Sequence, residues 1–459
     1  MARLVFAVHG LRSGLNNTAA LARQLVDRGH DVTFVSFRDV GSAVEHIGAK
    51  FILLADGPNA VAELRNLRAE RGDLRSVRRA RHLRAKVLEL DESVRVLSEL
   101  SPDLVVVDME MHGLVLAARH LRLPTLLTLS WHDPMRSWKR PPMHRDIVAR
   151  GRRDIPRTGL AWIDLIARRR LRQALGPLVR SAALARVLPQ HVNTSDLNSV
   201  RTMARNLGVD LSAISSRHEW VHPHTYTHAP VISFTAKELE FDQSSPAGVI
   251  HIGPCIDQSR YQRSLTAETR RELSAFLLRF GQPGSRLAYC SMGSLQAANQ
   301  SYYQMVADAF RSKPEWGLIL GLGSQGAGLH LDVEADRVLV LDDAPQTEIL
   351  RQVDVAVHTG GASTFYECLR FGVPSIIMHT GKTDMAGIAA RTTHFHLGVV
   401  RDRETVTADR LADDAAELAS GSTAGPINRL SRVILDYEAR AEGVRVIEGL
   451  LNNAKPSPT

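Results

Sequence analysis

The stretch Val355-Ala356-Val357-His358-Thr359-Gly360-Gly361-Ala362-Ser363-Thr364-Phe365-Tyr366-Glu367-Cys368-Leu369-Arg370-Phe371-Gly372-Val373-Pro374 decides the architecture. A short apolar run, a pair of glycines and a helical pattern opened by Ser/Thr read as strand, tight turn and helix. Backbone N–H groups and the positive end of the helix dipole then converge on one point, where a diphosphate would sit. Taken alone, the turn fits equally a plain strand-to-helix connection with Ser363 or Thr364 as N-cap.

Working outward, the same alternation runs along the chain. Leu287 to Ser291, Gly317 to Gly321, Val338 to Leu341, Asp354 to Val357 and Pro374 to Met378 read as strands of one parallel sheet. Leu4 to Val8, Asp31 to Phe37, Phe51 to Leu54, Asp103 to Asp108 and Pro124 to Leu129 read as strands of another. Between the first two, Asn17 to Arg28 carries Ala20, Leu21 and Leu25 on one helical face and stops at Gly29, which completes a βαβ unit. Near-continuous apolar strands such as Leu104-Val105-Val106-Val107 belong to sheets covered on both faces, so two doubly wound α/β domains are expected. The boundary falls near residue 256: 1–256 form the first domain, with a helical insertion at about 134–193, 257–430 the second, and 431–453 a C-terminal helix.

Composition supports two globular units. A chain of 459 residues exceeds one ordinary core, and 44% hydrophobic content is that of a folded protein. No segment offers the roughly 20 consecutive apolar residues of a membrane span, and Leu4 to Val8 reads as a strand rather than a signal peptide. Cys255, Cys290 and Cys368 are scattered and odd in number, which points away from disulfides and structural zinc and towards the cytoplasm. The net charge of +8 includes basic clusters from Arg65 to Arg84 and Arg168 to Arg172. These allow weak contact with an anionic membrane surface; without interleaved aromatics they do not point to nucleic acid.

Two short motifs are set aside. Gly321-Leu322-Gly323-Ser324-Gln325-Gly326 fits GxGxxG, but Gly328 and His330 follow where a helix should start. Gly381-Lys382-Thr383 looks like the end of a P-loop, yet its first glycine would be Ile376.

The ordered series of motifs resembles the GT-B family of nucleotide-sugar-dependent glycosyltransferases, which includes the UDP-glucuronosyltransferases and the bacterial macrolide and antibiotic enzymes. The matching segments are Leu21 to Ser36, Tyr289 to Ser294, Asp343 to Gln346, His358 to Pro374 and Asp384 to Arg391. The resemblance implies two Rossmann-like domains facing a cleft and transfer of a sugar, with inversion, from a UDP- or dTDP-sugar co-substrate to a small hydrophobic acceptor. No metal and no other cofactor is expected. Carried over by position, Ser294 and the turn His358, Thr359, Gly360, Gly361, Ser363 and Thr364 would hold phosphate. Gln346 and its neighbours would hold the base, Glu367 the ribose hydroxyls, and Asp384 and Met385 would lie at the sugar. Trp131 and His132 would contact acceptor.

Departures from the pattern matter as much. The family's phosphate-contacting His aligns with Thr359, Met385 replaces a sugar-binding Gln, and Ile388 an Asn. The family's general-base His aligns with Gly14, which takes no proton. His9, at the end of the first strand, and Asp108, at the end of the fourth, are the candidate replacements; a turn histidine held by backbone is an equal reading of His9. The other function consistent with these departures is a non-catalytic GT-B homologue that binds a ligand or activates a partner transferase.

Overall fold

The computed structural model describes residues 1–10, 12–54, 88–148, 152–181, 197–216, 225–242, 249–258, 265–293, 299–323, 328–381 and 384–453. The basic cluster from Arg65 to Arg84, Ser294, and parts of the Gly321–Gly326 and Gly381–Thr383 motifs lie outside the described residues.

The first domain contains β1 (Arg3–Ala7), α1 (Arg12–Val26), β2 (Asp31–Ser36), β3 (Lys50–Leu53), α2 (Asp91–Leu100), β4 (Leu104–Asp108), α3 (His112–His120), β5 (Thr125–Leu129), α4 (Ile155–Ser181), α5 (Leu197–Asn206), β6 (Val231–Ser233) and β7 (Val249–His251). Its strands form one parallel sheet in the order β3-β2-β1-β4-β5-β6-β7. Leu104 to Val107 are buried, as strands sandwiched between helical layers require.

The second domain contains α6 (Ala267–Phe280), β8 (Arg286–Ser291), α7 (Gln300–Arg311), β9 (Trp316–Gly321), β10 (Val338–Leu341), β11 (Val355–His358), α8 (Ala362–Phe371), β12 (Ser375–Ile377), α9 (Met385–His394), β13 (Gly398–Val400), α10 (Ala408–Ala419), α11 (Ala424–Arg440) and α12 (Glu442–Asn453). Its parallel sheet runs β10-β9-β8-β11-β12-β13. Both sheets reverse strand order beside their first strand, at β1/β4 and at β8/β11. The crevice beyond the carboxyl ends of such strands is where ligands bind in this architecture.

The structure corrects three expectations. Helix α1 starts at Arg12, five residues before Asn17, so Gly14 lies in its first turn and its carbonyl accepts from Thr18 Oγ1 at 2.9 Å. Strands β6, β7 and β13 were not expected; with three residues each they carry no readable periodicity. The tail is two helices, because Ala441 takes a left-handed conformation at φ 45° and ends α11. That break redirects the chain. Helix α11 packs Ile427, Leu430 and Ile434 against Phe365 and Leu369 of the second domain, whereas α12 sends Val444 and Ile447 into the first domain's core beside Leu21 and Leu25.

A buried polar network joins the domains. Arg391 of α9 donates from Nη2 to Glu240 Oε2 at 2.7 Å and from Nε to the Leu239 carbonyl at 2.9 Å. Glu240 Oε1 lies 3.0 Å from His132 Nδ1 and accepts from the Asp133 N–H at 3.0 Å. Arg140 donates to Asp133 Oδ2 at 2.6 Å, and Trp162 Nε1 to the Arg140 carbonyl at 2.7 Å. Burial alone would raise the Glu240 carboxyl, but Arg391, His132 and Arg140 hold it well below its ordinary value. Burial and Arg391 lower His132 to about 4, so it is neutral at pH 7, with Nδ1–H donating to Glu240 and Nε2 3.4 Å from Tyr366 Oη. Gly387 completes the fit, since a Cβ there would lie 2.4 Å from the Met143 carbonyl oxygen.

Removing Glu240 strands two arginines in a dry junction. Glu240→Ala is expected to lower stability by about 3–5 kcal/mol, read by urea unfolding. A loss below about 1 kcal/mol would show that the network does not hold the domains.

Candidate active site

In the second domain, β11 delivers His358 at its end and the chain turns through Thr359 and Gly360 into α8. Gly360 has φ 82°, a left-handed value, and a Cβ there would press on Ile377 Cγ2 at 3.1 Å and the Met385 carbonyl at 3.2 Å. Gly361 is the N-cap of α8 and offers no side-chain cap, while the space where its Cβ would stand is open to 4 Å. Gly361 has no side chain to cover the helix end, so the first turn of α8 and the positive end of its dipole open beside Ser363 and Thr364.

The side chains around this turn are placed differently from expectation. His358 is buried: its Nδ1 accepts from the Gly360 N–H at 3.1 Å and its Nε2–H donates to Ser375 Oγ at 3.0 Å. Burial lowers it to about 4, so it is a neutral brace behind the turn rather than a phosphate contact. Thr359 Oγ1 donates to the Met292 carbonyl at 3.1 Å, tying the turn to the loop after β8. Its hydroxyl hydrogen is thereby used within the protein.

At the base end, Tyr289 Oη donates to Gln346 Oε1 at 3.1 Å, and Gln346 Nε2 donates to Glu367 Oε2 at 2.5 Å. Glu367 is only 2% exposed, so one carboxylate oxygen is committed to Gln346 before any ribose arrives. Asp384 stands at the N-cap position of α9 without a side-chain cap bond and is half-buried. Met385 beside it is buried, 3.9 Å from Thr380 Oγ1 through its sulfur.

Across the crevice, the ends of β1 and β4 bring together His9, Asp108 and Glu110, whose polar side-chain atoms lie within 4.8 Å of one another. A Cβ at Gly14 would stand 3.3 Å from Ser130 Oγ and 3.7 Å from Asp108 Oδ2. The position where the resembling family carries its histidine thus lies directly against Asp108 and Ser130. Burial raises the Asp108 carboxyl, opposed by His9 and by the Glu110 N–H that donates to its Oδ1 at 3.0 Å. Burial, then Asp108, then Asp384 of the opposite domain push Glu110 up to about 8. Glu110 escaped the sequence reading. The signal was its place two residues beyond the strand that ends at the switch point.

Trp131 packs at the edge of the first domain's core, and His132 is 1% exposed within the interdomain network. His132 is therefore a junction residue and not an acceptor contact.

No protein-family profile matches the chain. Among curated proteins, it is 31% identical over 175 residues to the demethyllactenocin mycarosyltransferase of Streptomyces fradiae, covering 38% of this chain and 37% of that protein. It is 20% identical over 413 residues to the NDP-glycosyltransferase YjiC of Bacillus subtilis, covering 88% and 86%. The first three curated relatives are matched over only 37%, 41% and 39% of their own lengths. In fold, the chain superposes on the kitacinnamycin glycotransferase with a TM-score of 0.65 at 19% identity, covering 98% of each chain. It superposes on the glycosyltransferase VinC in complex with dTDP with a TM-score of 0.58 at 18% identity, covering 97% of this chain and 99% of that one. The fold is GT-B. The sequence matches are to proteins named as glycosyltransferases.

His358 makes the brace behind the turn testable by pH. Its folded value lies below the ordinary 6.5, so its neutral, bonded form contributes fully above that pH and the contribution is lost as pH falls towards 4. In urea unfolding at pH 7 and pH 4.5, His358→Gln should lose about 2–3 kcal/mol less on acidification than the unaltered protein. Equal losses would show that His358 is not buried neutral.

Proposed function

We propose that this protein moves a sugar from a UDP- or dTDP-sugar to a small, hydrophobic acceptor of natural-product type, inverting the anomeric carbon and needing no divalent cation. The observation that carries the reading is the glycine-lined start of α8 after the left-handed Gly360, at the switch point of the second sheet, with the His9, Asp108 and Glu110 cluster across the crevice. A relative named as a mycarosyltransferase and a structural neighbour in complex with dTDP agree with it.

In this reading the acceptor hydroxyl gives its proton to the acid–base cluster, in which the sequence puts His9 and Asp108. The acceptor oxygen attacks the anomeric carbon while the bond to the diphosphate breaks. Negative charge gathering on the departing phosphate is met by the N–H groups of α8 and the positive end of its dipole. Asp384 accepts from the sugar hydroxyls. Nothing here requires an extracellular setting, and the three cysteines are unpaired, consistent with a cytoplasmic enzyme. Among the described residues, no helix is long and apolar enough to cross a membrane.

The test is release of nucleotide diphosphate from a panel of UDP- and dTDP-sugars with hydrophobic acceptors, the product anomer being read by NMR. Turnover that survives EDTA and is lost in Asp384→Ala supports the reading. Binding of nucleotide without turnover across a broad acceptor panel would instead support the non-catalytic homologue.

Gly361 separates fold from ligand. Because its Cβ would enter open space at φ −65°, Gly361→Ala should leave thermal stability within about 1 kcal/mol of the parent. The same variant should weaken dTDP or UDP at least about tenfold in calorimetric titration, since a methyl there crowds the phosphate. Unchanged affinity would move the diphosphate away from this turn.

A further inference from the structure

We propose that Glu110 is the general base of the transfer, with Asp108 and His9 as the groups that position it; the proposal rests on the transferase reading above. Three features of the loop after β4 carry it. Met109 and Met111 are both 3% exposed and root the loop in the core, with half-buried Glu110 between them in the cluster with His9 and Asp108. Asp108 is committed to that loop, because its Oδ1 accepts from the Glu110 N–H at 3.0 Å. Its other oxygen packs against Gly14, 3.7 Å from where a Cβ would stand. Asp108 is thus the last residue of its strand and serves the loop, whereas Glu110 stands two residues farther out.

Asp384 of the opposite domain bears on Glu110: its field follows burial and Asp108 among the influences on the Glu110 carboxyl and is not among those on Asp108. In the transferase reading Asp384 meets the sugar hydroxyls, so a base on which it bears lies on the donor's side of the cluster. Among the described residues, Asp108 of β4 and Asp384 of α9 bear on Glu110, and His9 of the loop after β1 lies within the same 4.8 Å cluster. Their combined effect with burial, holding the carboxyl near 8, suits a base working near neutrality.

The balance is simple. The acceptor O–H breaks and its proton passes to a Glu110 carboxylate oxygen; the acceptor oxygen bonds to the anomeric carbon; the electron pair of the cleaved C–O bond leaves with the nucleotide diphosphate. Water then takes the proton from Glu110.

Transfer by the full-length protein should rise with pH to a plateau with a midpoint near 8, because only the ionised carboxylate accepts a proton. Glu110→Gln should lower kcat about 100-fold or more and abolish that rise, with dTDP or UDP affinity within about threefold. Glu110→Asp should recover part of the rate, and His9→Gln should retain the pH limb at reduced rate. Infrared difference spectra give a readout apart from turnover: a protonated carboxyl band that disappears between pH 7 and 9 and is missing from Glu110→Gln. Unchanged kcat and pH profile in Glu110→Gln would overturn the proposal while leaving the transferase reading intact. So would a Glu110 band already lost at pH 5, or turnover that requires an added divalent cation. An unaltered protein that binds nucleotide but transfers to no acceptor overturns the transferase reading and Glu110's role together, with the infrared band then reporting only the acidity of the site.

Discussion

The pairing of Glu240 with Arg391 is the interaction on which the crevice depends. A guanidinium and a carboxylate taken out of water each cost several kcal/mol, and that cost is offset only when the remaining hydrogen-bonding capacity is met. Here the Leu239 and Gly387 carbonyls, His132 and the Asp133 N–H meet it from both domains, with Arg140 a second cation near Glu240. The network therefore selects one interdomain arrangement rather than merely favouring contact. That arrangement sets Asp384 opposite Glu110 and the start of α8 opposite the switch point of the first sheet.

Much of the fold was legible because its long strands are uninterrupted. Leu104 to Val107 or Leu287 to Ser291 can be buried on both faces in one way only, and the turn at Gly360 announced its helix. The edge strands β6, β7 and β13 were illegible, since three residues bear no period and gain their ladder only from a sheet already formed.

The site was readable by position and less so by role. The turn and Asp384 stand where the motifs put them along the chain, but which way a side chain faces is a tertiary property. His358 ends its strand pointing into the core, and His132 reads as a loop histidine until Glu240, more than one hundred residues later, closes over it. Glu110 is the converse case. A single acid after a strand looks like solvated loop until the opposite domain brings Asp384 towards it.

The C-terminal helix carries a consequence for synthesis. Because α12 supplies Val444 and Ile447 to a core otherwise built from the first strands and α1, the opening half of the chain has no complete interior when it leaves the ribosome. The face of Leu21, Leu25 and Ile252 waits, exposed, while the whole second domain is made. The covalent thread then passes between the domains a second time at Ala441, so the finished molecule is linked by two strands of chain instead of one. The domain that is made before the other is thus sealed after it, and a chain that stops short of α12 leaves this apolar face uncovered.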